Sequence, residues 1–326
     1  MNQRRTLEKE LQKLWHGLSS MKTSFKKLTA ILLISAFLIM TFLYLDAGRI
    51  LAEIKAILTK PGVLLFIFSS YFLAFLARGF AWKLYLNHRV RLKTCMYGLF
   101  YSLLLNHLLP VKAGDFARIG VMKAREPGIT GHEALNSVVI LRVMDTAILF
   151  AMASAGLAFL ELPLNGAVLV WIGVIGCVFT IILYIKFRAF FDRQISIMKT
   201  AFSGWRGIWI IGLTLISWML EAAVIYGVVL NGGGIISFVQ AVWVNSITVA
   251  GQIFQITPGG IASYEAIMVF ALGANGIAAE NAYTAALITH GLKYLFSFIV
   301  GGIALVAYPV PTALLKKWTR ERGTES

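Results

Sequence analysis

The stretch Leu105-Asn106-His107-Leu108-Leu109-Pro110-Val111-Lys112-Ala113-Gly114-Asp115-Phe116-Ala117-Arg118 begins as an apolar membrane segment and then breaks. Pro110 removes a backbone donor and Gly114 loosens the chain. Lys112, Asp115 and Arg118 put three charges around the break. Hydrocarbon cannot satisfy an interrupted backbone, so such a break must be enclosed by protein or line a cavity. A second interruption stands far downstream at Gln255-Ile256-Thr257-Pro258-Gly259-Gly260-Ile261-Ala262-Ser263-Tyr264-Glu265. Paired interruptions in the two halves of a membrane protein point to a transport site.

The surrounding sequence is that of a membrane protein. The 326-residue chain is 58% hydrophobic, with a mean hydropathy of +0.77. Apolar runs cover 28–45, 63–76, 138–160, 167–185, 208–230 and 282–308. The longest of them can cross about 30 Å of hydrocarbon. Residues 1–27 are polar and basic, and the first run ends at Leu45-Asp46 without a small-residue cleavage pattern. That run therefore reads as a retained span and not as a signal peptide. Leu7, Leu11, Leu14, Trp15 and Leu18 share one helical face, so 6–18 is either a solvated arm or a helix lying on anionic headgroups.

The net charge of +15 raises the question of nucleic acid. The basic residues alternate with the spans instead of forming one patch, which marks them as topology determinants and excludes that partner. Cys95 and Cys177 are too few and too far apart for a disulfide or metal framework. The motifs H-E-x-x-H, Walker A and G-x-S-x-G are absent, and the histidines lack metal spacing. The expectation is a non-enzyme with no catalytic residues, metal or cofactor.

The lysine and arginine census decides between two topologies. If 96–109 crosses fully, the basic stretch 112–125 and the basic loop 186–206 both lie outside. If 96–120 dips in and returns, both lie on the cytoplasmic side, as the positive-inside rule prefers. The flanks of the second interruption, 231–237 and 273–283, carry no Lys or Arg, which fits an external origin. The expected fold is all-α and polytopic, with about six full spans and two re-entrant broken helices; eight full spans is the alternative. Span two, the first break and span three form one unit. Spans five and six with the second break form another, related by inversion. The domains are then a cytoplasmic basic segment at 1–27, a transmembrane domain at 28–310 and a cytoplasmic basic tail at 311–326.

Charges inside spans are costly and usually face an interior or a wet cavity. Arg142 and Asp145, at i and i+3, can pair on one helix face. Asp115 can pair with Lys112 or Arg118, and an arginine fork matches phosphate. Either the Arg142–Asp145 pair is structural or Arg142 meets an anionic headgroup. Glu265 lies early in a half-helix, as a dipole-complementing acid or as a proton-coupled or gating one. Lys293 and His290 share a face and can meet Glu221 or Glu265, while Arg78 can snorkel to the interface. Asn106 can bond carbonyls freed by Pro110.

At these residues the chain resembles the flippase-like transmembrane region of lysylphosphatidylglycerol synthases, a region found also in stand-alone inner-membrane proteins. Asn106, Pro110, Lys112, Gly114, Asp115 and Arg118 are similar to its first block. Arg142 and Asp145 are similar to its Arg-x-x-Asp block, and Pro258, Gly259, Gly260 and Glu265 to its Pro-Gly-Gly…Glu block. Lys112, Asp115 and Ala262 stand where Arg, Glu and Gly are commoner. The aminoacyl-transferase domain of the full-length synthases is absent from this sequence, so lysyl-lipid synthesis is not implied.

The resemblance implies lipid translocation or lipid-linked envelope assembly in a bacterial inner membrane. Asn106, Lys112, Asp115, Arg118, Arg142, Asp145, Glu265 and Lys293 are the expected substrate-binding residues. Glu265 and Lys293 are expected to form a gate opposite the two arginines. The expected partners are membrane lipids with anionic or polyprenyl-phosphate headgroups, together with an envelope-biosynthesis enzyme. Three other readings stand beside it: a small-solute secondary transporter, a membrane enzyme acting on a lipid phosphate, and a non-catalytic partner in envelope assembly.

Overall fold

The computed structural model describes residues 41–109, 114–160, 204–252 and 257–309, with isolated positions in 35–39 and 185–202. Several expectations fall outside the described residues: the N-terminal segment, most of the first span at 28–45, Pro110 and Lys112, the run 167–185 and the tail 311–326.

The described residues form helices α1 (Ala47–Thr59), α2 (Pro61–Tyr85), α3 (Leu92–Leu108), α4 (Gly114–Arg125), α5 (Gly131–Phe159), α6 (Gly204–Asn231), α7 (Phe238–Gly251), α8 (Ser263–Ala274) and α9 (Ala279–Ala307). A short 3-10 turn, Pro258–Gly260, separates α7 from α8. Among the described residues, four helices are long and apolar enough to cross a membrane: α2, α5, α6 and α9. Large apolar side chains on them face outward, among them Leu65, Phe150, Ile208 and Ile303. Outward apolar surface of this extent belongs in hydrocarbon, and the chain is a multi-pass membrane protein. The expected runs 63–76, 138–160, 208–230 and 282–308 all lie on these four helices, apart from a residue or so at two C-terminal ends.

The two interrupted segments are helical hairpins. Helix α3 has 17 residues, about 25 Å at about 1.5 Å per residue. Helices α4 and α8 have 12 residues each, about 18 Å on the same rise, and are shorter than the hydrocarbon layer. Each hairpin closes on itself. Arg91, before α3, donates through Nε to Glu126, after α4, at 3.0 Å. Glu126 also accepts from the Thr94 hydroxyl. The Glu126 carboxylate raises the Arg91 guanidinium above its ordinary range, through the hydrogen bond first and charge second.

The hairpins open at opposite ends of α2. Residues 86–91 and 126 meet at its C-terminal end. At its N-terminal end, Lys60 donates to Asn231 at 3.1 Å, just before α7. Arg49 of α1 reaches Glu280, just after α8, at 3.8 Å. Helix α1 was not anticipated from the sequence. Asp46 caps it by accepting from Arg49 N at 2.9 Å, and Leu51, Ile54 and Leu58 stay exposed.

Packing has the same regularity. The order long, short, short, long occurs twice, in α2–α5 and again in α6–α9. The leading helices α2 and α6 pack against each other most extensively. Helix α3 packs on α9 and, in the matching positions, α7 packs on α5. Local signals set the boundaries. Thr130 and Glu133 form a reciprocal capping box at the start of α5, and Ser237 and Gln240 do so for α7. Ala262 offers no side-chain acceptor to α8, so only half of that box forms: Glu265 Oε2 accepts from Ala262 N at 2.7 Å.

Candidate functional site

Helix α3 packs against the Pro258–Gly260 turn, which brings its C-terminal end to the second break. Gly259 sits at φ 62°, and an added Cβ would strike the Tyr294 hydroxyl and approach His107 O. Gly114 is as constrained: an added Cβ would lie 2.1 Å from Ser102 O. Both glycines permit backbone approaches that any side chain would block. Asn106 Oδ1 accepts from Gly114 N at 2.9 Å, so it satisfies the first amide of α4.

Beside the second break lies a cavity of about 170 Å³, lined by that break and by every helix from α2 to α9. Its charged lining is Arg78, Arg118, Arg142 and Lys293 against Asp145 and Glu221. Asn106 also lines it. Of the expected site residues, Asn106, Arg118, Arg142, Asp145 and Lys293 therefore converge, and Lys112 and Pro110 lie outside the described residues. Among the described residues, no group of three or more His, Cys, Asp or Glu side chains could hold a metal.

Three ionic groups organise the site. In the first, Arg142 makes a forked contact with Asp115, with Nε at 3.0 Å from both oxygens and Nη2 at 2.8 Å from Oδ1. The i, i+3 pairing expected with Asp145 is present, but only at its outer limit. Arg142 lies 4.0 Å from Asp145, which also accepts from Trp218 Nε1 at 3.2 Å. The i, i+3 spacing placed Arg142 and Asp145 on one face, but α4 presents a closer carboxylate across the helix interface. Arg118 lies 3.7 Å from Asp115, too far for a hydrogen bond, and stacks on Trp82 at 4.5 Å. It is 4% exposed, and its Nε is buried without a hydrogen-bond partner.

The second group centres on Glu221, which accepts from Arg78 at 2.7 Å and from Lys293 at 2.9 Å. Arg78 does not snorkel. It is mostly enclosed, over the Trp218 ring at 4.0 Å, where its charge serves Glu221. Lys293 Nζ also lies 3.5 Å from Asn245 Oδ1. Glu221 links α2 to α9; its contact with Lys293 is one the sequence allowed, and Arg78 is the partner that reading placed elsewhere. The available signal for the Arg78 contact was the number of intramembrane cations, Arg78, Arg142 and Lys293, which need buried acids.

The third group pairs Glu265 Oε1 with His290 Nδ1 at 2.6 Å, while His290 Nε2 faces Gly259 O at 3.2 Å. Tyr264 stacks on the His290 ring at 4.1 Å. Glu265 and Lys293, expected together as a gate, thus take different partners, His290 and Glu221.

The lining holds four cations and two carboxylates, and Asp115 beside it adds a third, so the group keeps one positive charge in excess. Buried charge without an equal counter-charge is expensive. An anion entering this cavity would meet unsatisfied guanidinium donors already held in place.

Residues 27–301 match the family model described as the Lysylphosphatidylglycerol synthase TM region. The match covers most of the chain, and the chain belongs to that family. No curated protein and no solved structure matches it.

Proposed function

We propose that this member of the lysylphosphatidylglycerol synthase transmembrane family moves an anionic phospholipid or lipid-linked envelope intermediate between leaflets of a bacterial inner membrane. The observation that carries the reading is Arg118: a buried arginine in a cavity, held by Trp82, with no hydrogen bond to any described residue. Its planar fork suits a phosphate oxygen pair. Arg142 stands beside it, already engaged by Asp115, and can exchange that carboxylate for a ligand anion of the same charge.

The architecture favours alternating access. Two hairpins that open at opposite ends of α2 are what an inverted repeat with two re-entrant segments would give. The long-short-short-long order and the matched pairs α3–α9 and α7–α5 support the same relation. The lysine and arginine census orients it, with residues 86–93 and 112–125 facing the cytoplasm and both termini on that side. Glu265 and His290, joined to the second break through Gly259 O, are placed to move a proton as that break shifts.

Native mass spectrometry of the purified protein tests the binding reading. The wild type is expected to retain a phosphate-bearing lipid, and Arg118→Gln to lose at least about 90% of it, a change on the order of one charge-assisted hydrogen-bonded contact. Equal retention by the two proteins would remove Arg118 from the site.

A further inference from the structure

A second concavity, of about 460 Å³, runs between α4 and α5. Its walls are Phe116 and Ile119 of α4 with Leu135, Val138, Val139 and Val143 of α5. Phe116, Leu135 and Val143 each keep more than a third of their surface exposed. Arg142 lines both this groove and the charged cavity, and Asp115, its forked partner, stands at the groove's polar edge. The apolar groove and the cationic cavity are therefore adjoining compartments with one guanidinium at their boundary.

We infer that the α4–α5 groove holds the acyl chain of the lipid whose anionic headgroup sits against Arg118 and Arg142. This rests on the anionic-lipid reading of the cavity and adds the route by which the lipid enters. A small polar solute would need the cavity but not the groove. A lipid needs both, joined at the junction of headgroup and tail, and Arg142 stands at that junction. The Asp115–Arg142 pair becomes the threshold. An arriving phosphate takes the guanidinium from Asp115 as the tail settles between Phe116 and Val139. Docking against the outward faces of α2 or α6 would offer apolar contact but no adjoining cation of the cavity.

Two variants and two probes separate the groove from the headgroup site. The probes are phosphatidylglycerol and its tail-less headgroup, glycerophosphoglycerol. Val139→Trp fills the groove without touching Arg118, and Leu65→Trp on exposed α2 surface is the control. The expected result is a loss of phosphatidylglycerol binding of about tenfold or more in Val139→Trp, with glycerophosphoglycerol binding unchanged and Leu65→Trp like the wild type. Arg118→Gln is expected to lose both ligands. Unchanged phosphatidylglycerol binding in Val139→Trp, with both ligands lost in Arg118→Gln, would overturn the groove while leaving the headgroup site standing. Both ligands bound normally by Arg118→Gln would overturn the headgroup site itself. A parallel loss of both probes in Val139→Trp would also overturn the groove as a tail site. Should Val139→Trp not fold, phosphatidylglycerol carrying a diazirine in its tail, photolysed on the wild type, gives an independent answer. Crosslinks on 116–119 and 135–143 support the groove, and crosslinks confined to α2 and α6 overturn it.

Discussion

Arg118 and Glu221 show how the same cavity treats charge in two ways. Glu221 is fully engaged, bridging Arg78 and Lys293 across three helices. Removing its charge leaves two enclosed cations with no carboxylate between them. Breaking a buried pair in this manner costs about 3–5 kcal/mol. Glu221→Gln is accordingly expected to lower the unfolding midpoint in detergent sharply, and Glu221→Gln combined with Lys293→Met to recover part of it. A midpoint within about one degree of the wild type for the single variant would contradict the hub role, since even 1 kcal/mol shifts the midpoint of a domain of this size by more. Arg118 is the opposite case. Its strongest contacts are a ring face and a carboxylate at 3.7 Å, so its loss should reduce ligand retention far more than stability.

The helical elements were largely legible in the sequence and their pairings were not. Pro110 with Gly114, and Pro258 with Gly259 and Gly260, signal interruption through backbone chemistry that acts locally, so both hairpins could be read from the chain. Hydropathy located α2, α5, α6 and α9 for the same reason. Which acid meets which cation is a matter of helix packing, and sequence spacing reports only neighbours on one helix. That is why the sequence offers Asp145 to Arg142, a contact present at 4.0 Å, and not Asp115, which holds it more closely. Arg78 was hidden by its own length, because a long cationic side chain near a span end ordinarily reaches the interface. Helix α1, too short for a span and with charge on one face, left no hydropathy signal.

The hairpins also rest on close backbone approach. Gly114→Ala forces a methyl against Ser102 and Asn106, and overpacking of this kind costs about 1–3 kcal/mol. Its expected effect is a lowered unfolding midpoint together with weaker lipid retention, because Arg118 is carried on the displaced helix. Gly128→Ala, where an added Cβ meets nothing within 4 Å, should behave as the wild type. Similar midpoints for the two variants would mean that α3 and α4 are not held at this contact.

At the scale of the whole molecule, the two halves contribute different things to one cavity. The first half supplies Arg118 and Arg142 on a broken helix and its neighbour. The second supplies Glu221, Lys293 and the Glu265–His290 pair beside the other break. On the proposed function, the shared cavity faces each leaflet in turn as one half moves against the other. The most direct measurement is leaflet exchange in liposomes. Fluorescent phosphatidylglycerol is compared with fluorescent phosphatidylcholine, using the wild type, Arg118→Gln and empty vesicles. Exchange of phosphatidylglycerol is predicted to exceed that in empty vesicles and that of phosphatidylcholine, and to fall about tenfold or more in Arg118→Gln. Exchange no faster than in empty vesicles, or equally fast for both lipids and for the variant, would contradict the account.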